Sequence, residues 1–446
     1  MLKGGRVLDP GSGTDDWLDV GIEAGRVQEL GPSLAGREEL DVSGLCVAPG
    51  FIDIHIHEDL DTGRGLLFHT QKQMALMGVT TVVGGNCGLG ADDIPAYLDS
   101  AQAAGCYTHL AMLVGYNVLR RKMGYRDPYE HTPEDAWPLL RDLVKRGLSA
   151  GAFGMSYGLE YDPGITTEEV IEQSSVLLDY PGTLVAAHYR GDADMACDSI
   201  EELAKVSRSH GVRVQFSHIG SAAAMGQMDE ALLLLERLLQ EGVDIQADCY
   251  PYDAFATYAG STVYEERNIR RMGIGYDRLL ATTGRYRGQR LTEEKMGQIR
   301  REEPEVRIVA FAMNEEEVIR ALAHPLVMVA SDGAVRDGGG HPRVSGTFPR
   351  VLGRFVGQGR LDFAESLRKM TLMPAERLGL ARKGRLIPGS DADICVFDRE
   401  SLEDRSTYTE PLLPAAGIKH VLVEGQFVVR DGEFTGVRAG KVLRRV

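Results

Sequence analysis

No stretch of this 446-residue chain approaches the ~18 uninterrupted apolar residues that a membrane-spanning helix needs. The opening residues, Met1-Leu2-Lys3-Gly4-Gly5-Arg6, form no apolar leader, so the expected location is the cytoplasm. Paired cysteine spacing is missing too. Cys46, Cys87, Cys106, Cys197, Cys249 and Cys395 are scattered, which predicts reduced thiols and argues against a disulfide framework. Basic charge is short: 49 Lys and Arg against 65 Asp and Glu leave a formal net charge of −16. Nucleic acid and anionic membrane surfaces reward basic patches and are therefore poor partners. A small anionic substrate stays open, because one or two arginines in a cleft override the global field locally. Solenoid-period repeats and low-complexity tracts are also missing.

What is present is a turn-rich globular composition, with 43% hydrophobic residues, 26% charged residues and 53 glycines. The length suits one large barrel plus a small extra domain. From residue 51 onward a short apolar run, a polar or Gly-rich loop and a helix-period stretch recur, the rhythm of parallel strands with helical crossovers. Candidate strands cover 51–57, 80–85, 108–114, 151–157, 184–188, 212–218, 243–250 and 326–331. Eight strands close a (β/α)8 barrel. The expected fold class is thus α/β, with this TIM-like barrel over residues 49–383. Residues 1–48 and 384–446 hold short alternating strands with Gly turns, and both ends are expected to meet in one small β-sandwich domain. Residues 255–325 are too long for a plain connection. Helices forming a lid over the barrel mouth are expected there.

The chemistry should lie at the C-terminal ends of the barrel strands. The first candidate strand carries His55 and His57, two residues apart and so on one face. The second is followed by Gly85-Asn86-Cys87-Gly88, the fifth ends in His188-Tyr189-Arg190, the sixth in Ser217-His218 and the eighth in Ser331-Asp332-Gly333. Each residue alone has an ordinary alternative. A free cysteine is often simply buried, a lone histidine is often a satisfied core residue, and an aspartate before glycine often shapes a loop. Five ligand-bearing ends at one mouth point instead to a metal site. The remaining histidines, His69, His109, His131, His210, His324 and His420, need only core or surface roles. His341 belongs to Gly338-Gly339-Gly340-His341-Pro342-Arg343, close behind Asp332.

These residues, in this order, resemble the amidohydrolase superfamily, and within it the N-acyl-D-amino-acid deacylases (D-aminoacylases), over nearly the whole chain. The resemblance is carried by residues 49–57, by Gly85-Asn86-Cys87-Gly88, by Tyr250-Pro251-Tyr252, by Ser331-Asp332-Gly333 and by the run from His341 to Arg354. It implies a tightly bound Zn2+ on Cys87, His188 and His218, and a second, weaker position facing His55, His57 and Asp332. It further implies hydrolysis of a linear amide, most readily an N-acyl-D-amino acid, by metal-activated hydroxide with Asp332 as general acid and base. Arg343 is the implied anchor for a substrate carboxylate, with Tyr161 and Tyr250 as hydrogen-bonding neighbours. The fourth strand, Gly151-Ala152-Phe153-Gly154-Met155-Ser156-Tyr157, offers no lysine for the carboxylated bridge of other branches. That agrees with the cysteine-containing branch.

Two departures bear on substrate choice. Where deacylases typically carry a histidine and a lysine after the sixth-strand histidine, this chain has His218-Ile219-Gly220-Ser221. The fifth-strand motif reads His188-Tyr189-Arg190-Gly191-Asp192, and Arg190 is a candidate replacement charge unless it pairs with Asp192 or Asp194. Losing the lysine disfavours acidic side chains. The competing readings are a cyclic-amide hydrolase of the dihydroorotase or hydantoinase kind, and a non-catalytic scaffold of the same fold. The expected partner is a small molecule, and assembly into a homo-oligomer is left open.

Overall fold

The computed structural model describes residues 1–61, 63, 65–336 and 338–445; Val446, the last residue of the expected terminal segment, lies outside them. Eight parallel strands form the barrel: β1 (Phe51–Asp53), β2 (Val79–Gly84), β3 (His109–Met112), β4 (Gly154–Gly158), β5 (Leu184–His188), β6 (Arg213–Phe216), β7 (Ile245–Cys249) and β8 (Val327–Val329). β1 through β3 pair in parallel, and so do β4 through β8. Val114 and Gly115 join the two groups by pairing with Met155 and Ser156 of β4. The last gap closes where Asp332 N–H donates to His55 O at 2.8 Å and His57 N–H to Gly333 O at 2.9 Å. These strands are continuous apolar runs because both faces are buried. Ile52, Ile54, Val83, Ala111, Phe153, Ala186 and Met328 pack into one cluster with Met373, Ala375 and Leu378 of the helix Leu372–Leu378.

Strands from both chain ends share a single nine-stranded sheet. Its central neighbours are Ile394–Phe397, Cys46–Pro49 and Leu2–Asp9, with hairpins extending either edge. Val7, Val20, Val47, Ile394, Val396 and Leu422 form its apolar core. An ion-pair network ties this sheet to the barrel. Asp393 accepts from Lys383 at 2.6 Å and from His109 of β3 at 3.1 Å, and Asp393 O accepts from Gly50 N at 2.8 Å.

Two expectations are corrected. The final residues leave the sheet and run beside β3: Leu443 N–H donates to Leu110 O at 2.8 Å and Arg445 N–H to Gly151 O at 2.9 Å. This tail packs along β3 and the residues leading into β4, so the terminal segment reaches past the sheet onto the barrel. The 255–325 segment, in turn, is not a purely helical lid. Phe255–Tyr258, Arg307–Ala310 and Leu279–Ala281 form an antiparallel three-stranded sheet with Arg307–Ala310 in the middle. The alternating burial of Phe255–Tyr258 is strand-like, one face on the mouth and one outward. Short helices accompany it, and Glu315–Ala323 packs as an ordinary barrel helix before β8.

Candidate active site

Six of the residues singled out from the sequence converge at the C-terminal mouth. His55, His57, Cys87 and Asp332 bring one ligand atom each to within 4.8 Å of one another, and so do Cys87, His188 and His218. Cys87 is common to both groups. Three of these residues, Cys87 (φ 56°), His218 (φ 37°) and Asp332 (φ 49°), sit in left-handed backbone conformations. A non-glycine residue held there costs about 1–3 kcal/mol and persists only where surrounding contacts enforce it. Each turns the chain sharply just past its strand and directs the side chain inward. The Cys87 turn is held by its flanks: a Cβ on Gly85 would meet Leu113 O at 2.1 Å, and one on Gly88 would meet Asn117 Oδ1 at 1.8 Å.

The outward nitrogens of three histidines are all engaged. His55 Nδ1 donates to Asp248 Oδ1 at 3.2 Å, and His188 Nε2 donates to Glu160 Oε2 at 3.0 Å. His218 Nδ1 lies 2.8 Å from Ser221 Oγ, which itself donates to His218 O. Those bonds place the protons on the outer nitrogens and leave the inner ones as bare acceptors. His188 Nδ1 then faces His218 Nε2 at 3.1 Å, with Cys87 Sγ 3.6 Å from His218 Nε2 and 3.3 Å from His55 Nε2. Asp332 Oδ1 lies 3.0 Å from His57 Nε2 and 3.4 Å from His55 Nε2. Acceptor atoms packed this closely repel unless a cation lies among them. Burial opposes charge on both His55 and Cys87, yet their mutual attraction, with Asp248 and Asp332 beside His55, raises the imidazole well above its usual value and lowers the thiol, so the centre favours a thiolate beside positive charge.

Tyr161 packs its ring 4.3 Å from that of His188. Tyr250 lies under the guanidinium of Arg343 at 4.6 Å. Arg343 itself is not a free anchor, because its Nη2 pairs with Asp332 Oδ2 at 2.8 Å. Its Nε and Nη1 are buried with no partner among the described residues, so two donors remain for a carboxylate. Arg190 is a correction. Its Nε and Nη2 bond both oxygens of Glu202 at 2.7–3.0 Å, and its remaining donors go to Pro163 O and Ile165 O. It clamps a loop outside the site, and neither Asp192 nor Asp194 is its partner. His341 is structural, with Nε2 donating to Ala254 O at 2.9 Å.

Asp248 and Glu160 escaped sequence reasoning. Asp248 accepts from His55 Nδ1, from His218 N at 2.8 Å and from Gln215 Nε2 at 3.1 Å. Glu160 is buried beside His188, and desolvation pushes its carboxyl up to about 8. Both stand at strand ends where the sequence had offered only a tyrosine, Tyr250 and Tyr161: Asp248 is the second-last residue of β7, and Glu160 lies two residues past β4. Inspecting every strand end for acids, rather than the fourth for a lysine alone, would have found them.

Comparison with known proteins shows the family of the chain. The Amidohydrolase family model matches residues 46–428. A D-aminoacylase and an N-acyl-D-glutamate deacylase, both of Alcaligenes xylosoxydans xylosoxydans, are 32% and 34% identical over the whole of this chain and 97% and 96% of their own lengths. The solved structure of an N-acyl-D-glutamate deacylase from Bordetella bronchiseptica, complexed with zinc and a phosphonate mimic of the tetrahedral intermediate, superposes with a TM-score of 0.88. It is 31% identical, over 99% of this chain and 98% of that one. With its barrel, its terminal sheet and its inward-facing His, Cys and Asp side chains, the chain belongs to the amidohydrolase family.

Proposed function

We propose that this chain is a zinc-dependent deacylase that hydrolyses N-acyl-D-amino acids to a carboxylate and a free D-amino acid. The observation that carries the reading is the pair of bare nitrogens, His188 Nδ1 and His218 Nε2, held 3.1 Å apart with Cys87 Sγ beside them. One thiolate and two imidazoles form a borderline-soft donor set suited to zinc rather than to magnesium or calcium. Asp332 Oδ1, buried and without a hydrogen-bond partner among the described residues, fits the edge of a second position completed by His55 and His57.

When bound, zinc would lower the pKa of water towards ~7 and polarise the scissile carbonyl. Asp332 accepts a proton from the attacking water and returns it to the departing nitrogen, so that the C–N bond breaks with hydroxyl on carbon and hydrogen on the amine. One of the two unpaired donors of Arg343 bonds the substrate's α-carboxylate, and stacking on Tyr250 fixes the plane of the guanidinium. Tyr161, against His188, walls the site from water.

The cyclic-amide alternative is disfavoured because β4, Gly154–Gly158, contains no lysine. The test is amine release by chelated and zinc-restored protein over N-acetyl and N-formyl D- and L-amino acids, with hydantoin and dihydroorotate ring opening beside them. Zinc-dependent turnover of linear D-substrates is expected. Ring opening alone would overturn the reading.

A further inference from the structure

Two buried carboxyl groups at the mouth each keep an oxygen that the chemistry does not use. Beyond the metal-facing residues, the cavity beside His188 and His218 is lined by Glu160 and Asp192, with Phe255, Ala256, Thr257 and Val263 of the 255–325 segment and Tyr161 and Tyr250 around them. Glu160 is 3% exposed and Asp192 1%. Glu160 spends Oε2 on His188, while its Oε1 and the Oδ1 of Asp192 have no hydrogen-bond partner among the described residues. A buried acceptor left unsatisfied is costly, and a buried charge without a partner more so.

No cation among the described residues bonds these two oxygens, and Arg271 and Arg267 act on the carboxyls only from a distance. The basic residues nearby are committed elsewhere: Arg190 to Glu202, Arg271 to Asp194, Arg267 to Glu265 and Arg343 to Asp332. Among the described residues, the cavity lining includes no lysine or arginine.

We infer that Glu160 and Asp192 form the side-chain subsite of the enzyme and select N-acyl-D-amino acids with a cationic side chain, of the lysine, ornithine or arginine class. Phe255, Ala256 and Val263 cover the aliphatic stem, and the two unpaired carboxylate oxygens receive the ammonium or guanidinium hydrogens. This inference rests on the deacylase reading above and adds the substrate's side chain to it.

The experiment compares kcat/KM of the zinc-loaded enzyme for N-acetyl-D-lysine, N-acetyl-D-arginine, N-acetyl-D-norleucine and N-acetyl-D-glutamate. A charge-assisted bond formed in a dry site predicts a preference of roughly tenfold or more for lysine or arginine over norleucine, with glutamate slowest. Asp192→Asn should reduce the lysine-to-norleucine ratio about tenfold on the same grounds, and Asp192→Lys should move the preference towards glutamate. Norleucine or glutamate turned over as fast as lysine, or a ratio unmoved in Asp192→Asn, overturns the subsite. Absence of turnover on every panel member would instead sink the deacylase reading. In that event calorimetric binding of D-lysine against D-norleucine still decides: tighter D-lysine supports the acidic subsite, and equal affinity refutes it.

Discussion

Replacing Asp248 by Ala removes the acceptor for three buried donors at once: His55 Nδ1–H at 3.2 Å, the His218 N–H at 2.8 Å and Gln215 Nε2–H at 3.1 Å. Each buried group left without a partner costs about 1–3 kcal/mol. Water entering the vacated volume recovers part of that, so a loss of about 3–5 kcal/mol is expected. Asp248→Asn should behave differently. Its Oδ1 can keep the bonds from His55 and the His218 backbone, and its new Nδ2–H2 meets Gln215, whose Oε1 is buried and unpaired among the described residues. Flipping the Gln215 amide then restores the third bond, and the loss should stay below about 1 kcal/mol. Urea unfolding of the metal-free proteins reads both values without interference from bound zinc. A second readout is zinc affinity at the second position, expected to fall ten- to hundredfold in Asp248→Ala as His55 loses its orientation. Equal stability of the two variants, or Asp248→Ala within about 1 kcal/mol of wild type, would refute this account of how the histidines are held.

Cys87→Ala should abolish tight zinc binding, measured as metal content after dialysis, because the thiolate is shared by both ligand groups; unchanged zinc would remove Cys87 from the centre. Asp332→Asn should retain zinc while turnover falls by 100-fold or more, roughly the contribution of a general acid–base group, and a near wild-type rate would exclude Asp332 from proton transfer. Arg190→Ala should lower stability by about 1–3 kcal/mol in thermal unfolding, since it strands buried Glu202, and should alter substrate charge preference little; a large preference change would return Arg190 to the site. Asp393 is opposed by burial but held well below the usual carboxylate range by His109 and Lys383. Its folded pKa lies below its unfolded value, so its stabilisation is present above about pH 4 and declines as pH falls below that. Asp393→Asn should flatten the acid limb of a stability–pH profile, and an identical limb would refute the linkage.

All eight barrel strands were legible because a strand buried on both faces reads as a compact apolar run between glycines, as Val79–Gly84 and Leu184–His188 do. The ligands were legible because they cluster at the ends of those runs. The expected strands nevertheless ran too long. His57 and His218 lie beyond the last ladder residues, Asp53 and Phe216, since the chain leaves the ladder to turn its ligands inward. Pairing choices were less visible. Arg190 has acids two and four residues away, yet it reaches Glu202 across a helical turn of Ala196–His210, a choice made by tertiary placement. The sheet in the 255–325 segment was hidden for a similar reason. Its strands are three or four residues long and pair across gaps of tens of residues, leaving no local periodicity to read.

The most direct test of the metal centre is anomalous diffraction at the zinc edge from crystals of the zinc-loaded enzyme. The structure predicts a peak enclosed by Cys87 Sγ, His188 Nδ1 and His218 Nε2, with any second peak beside His55, His57 and Asp332. Strong zinc signal elsewhere in the molecule, or none in an active preparation, would contradict it.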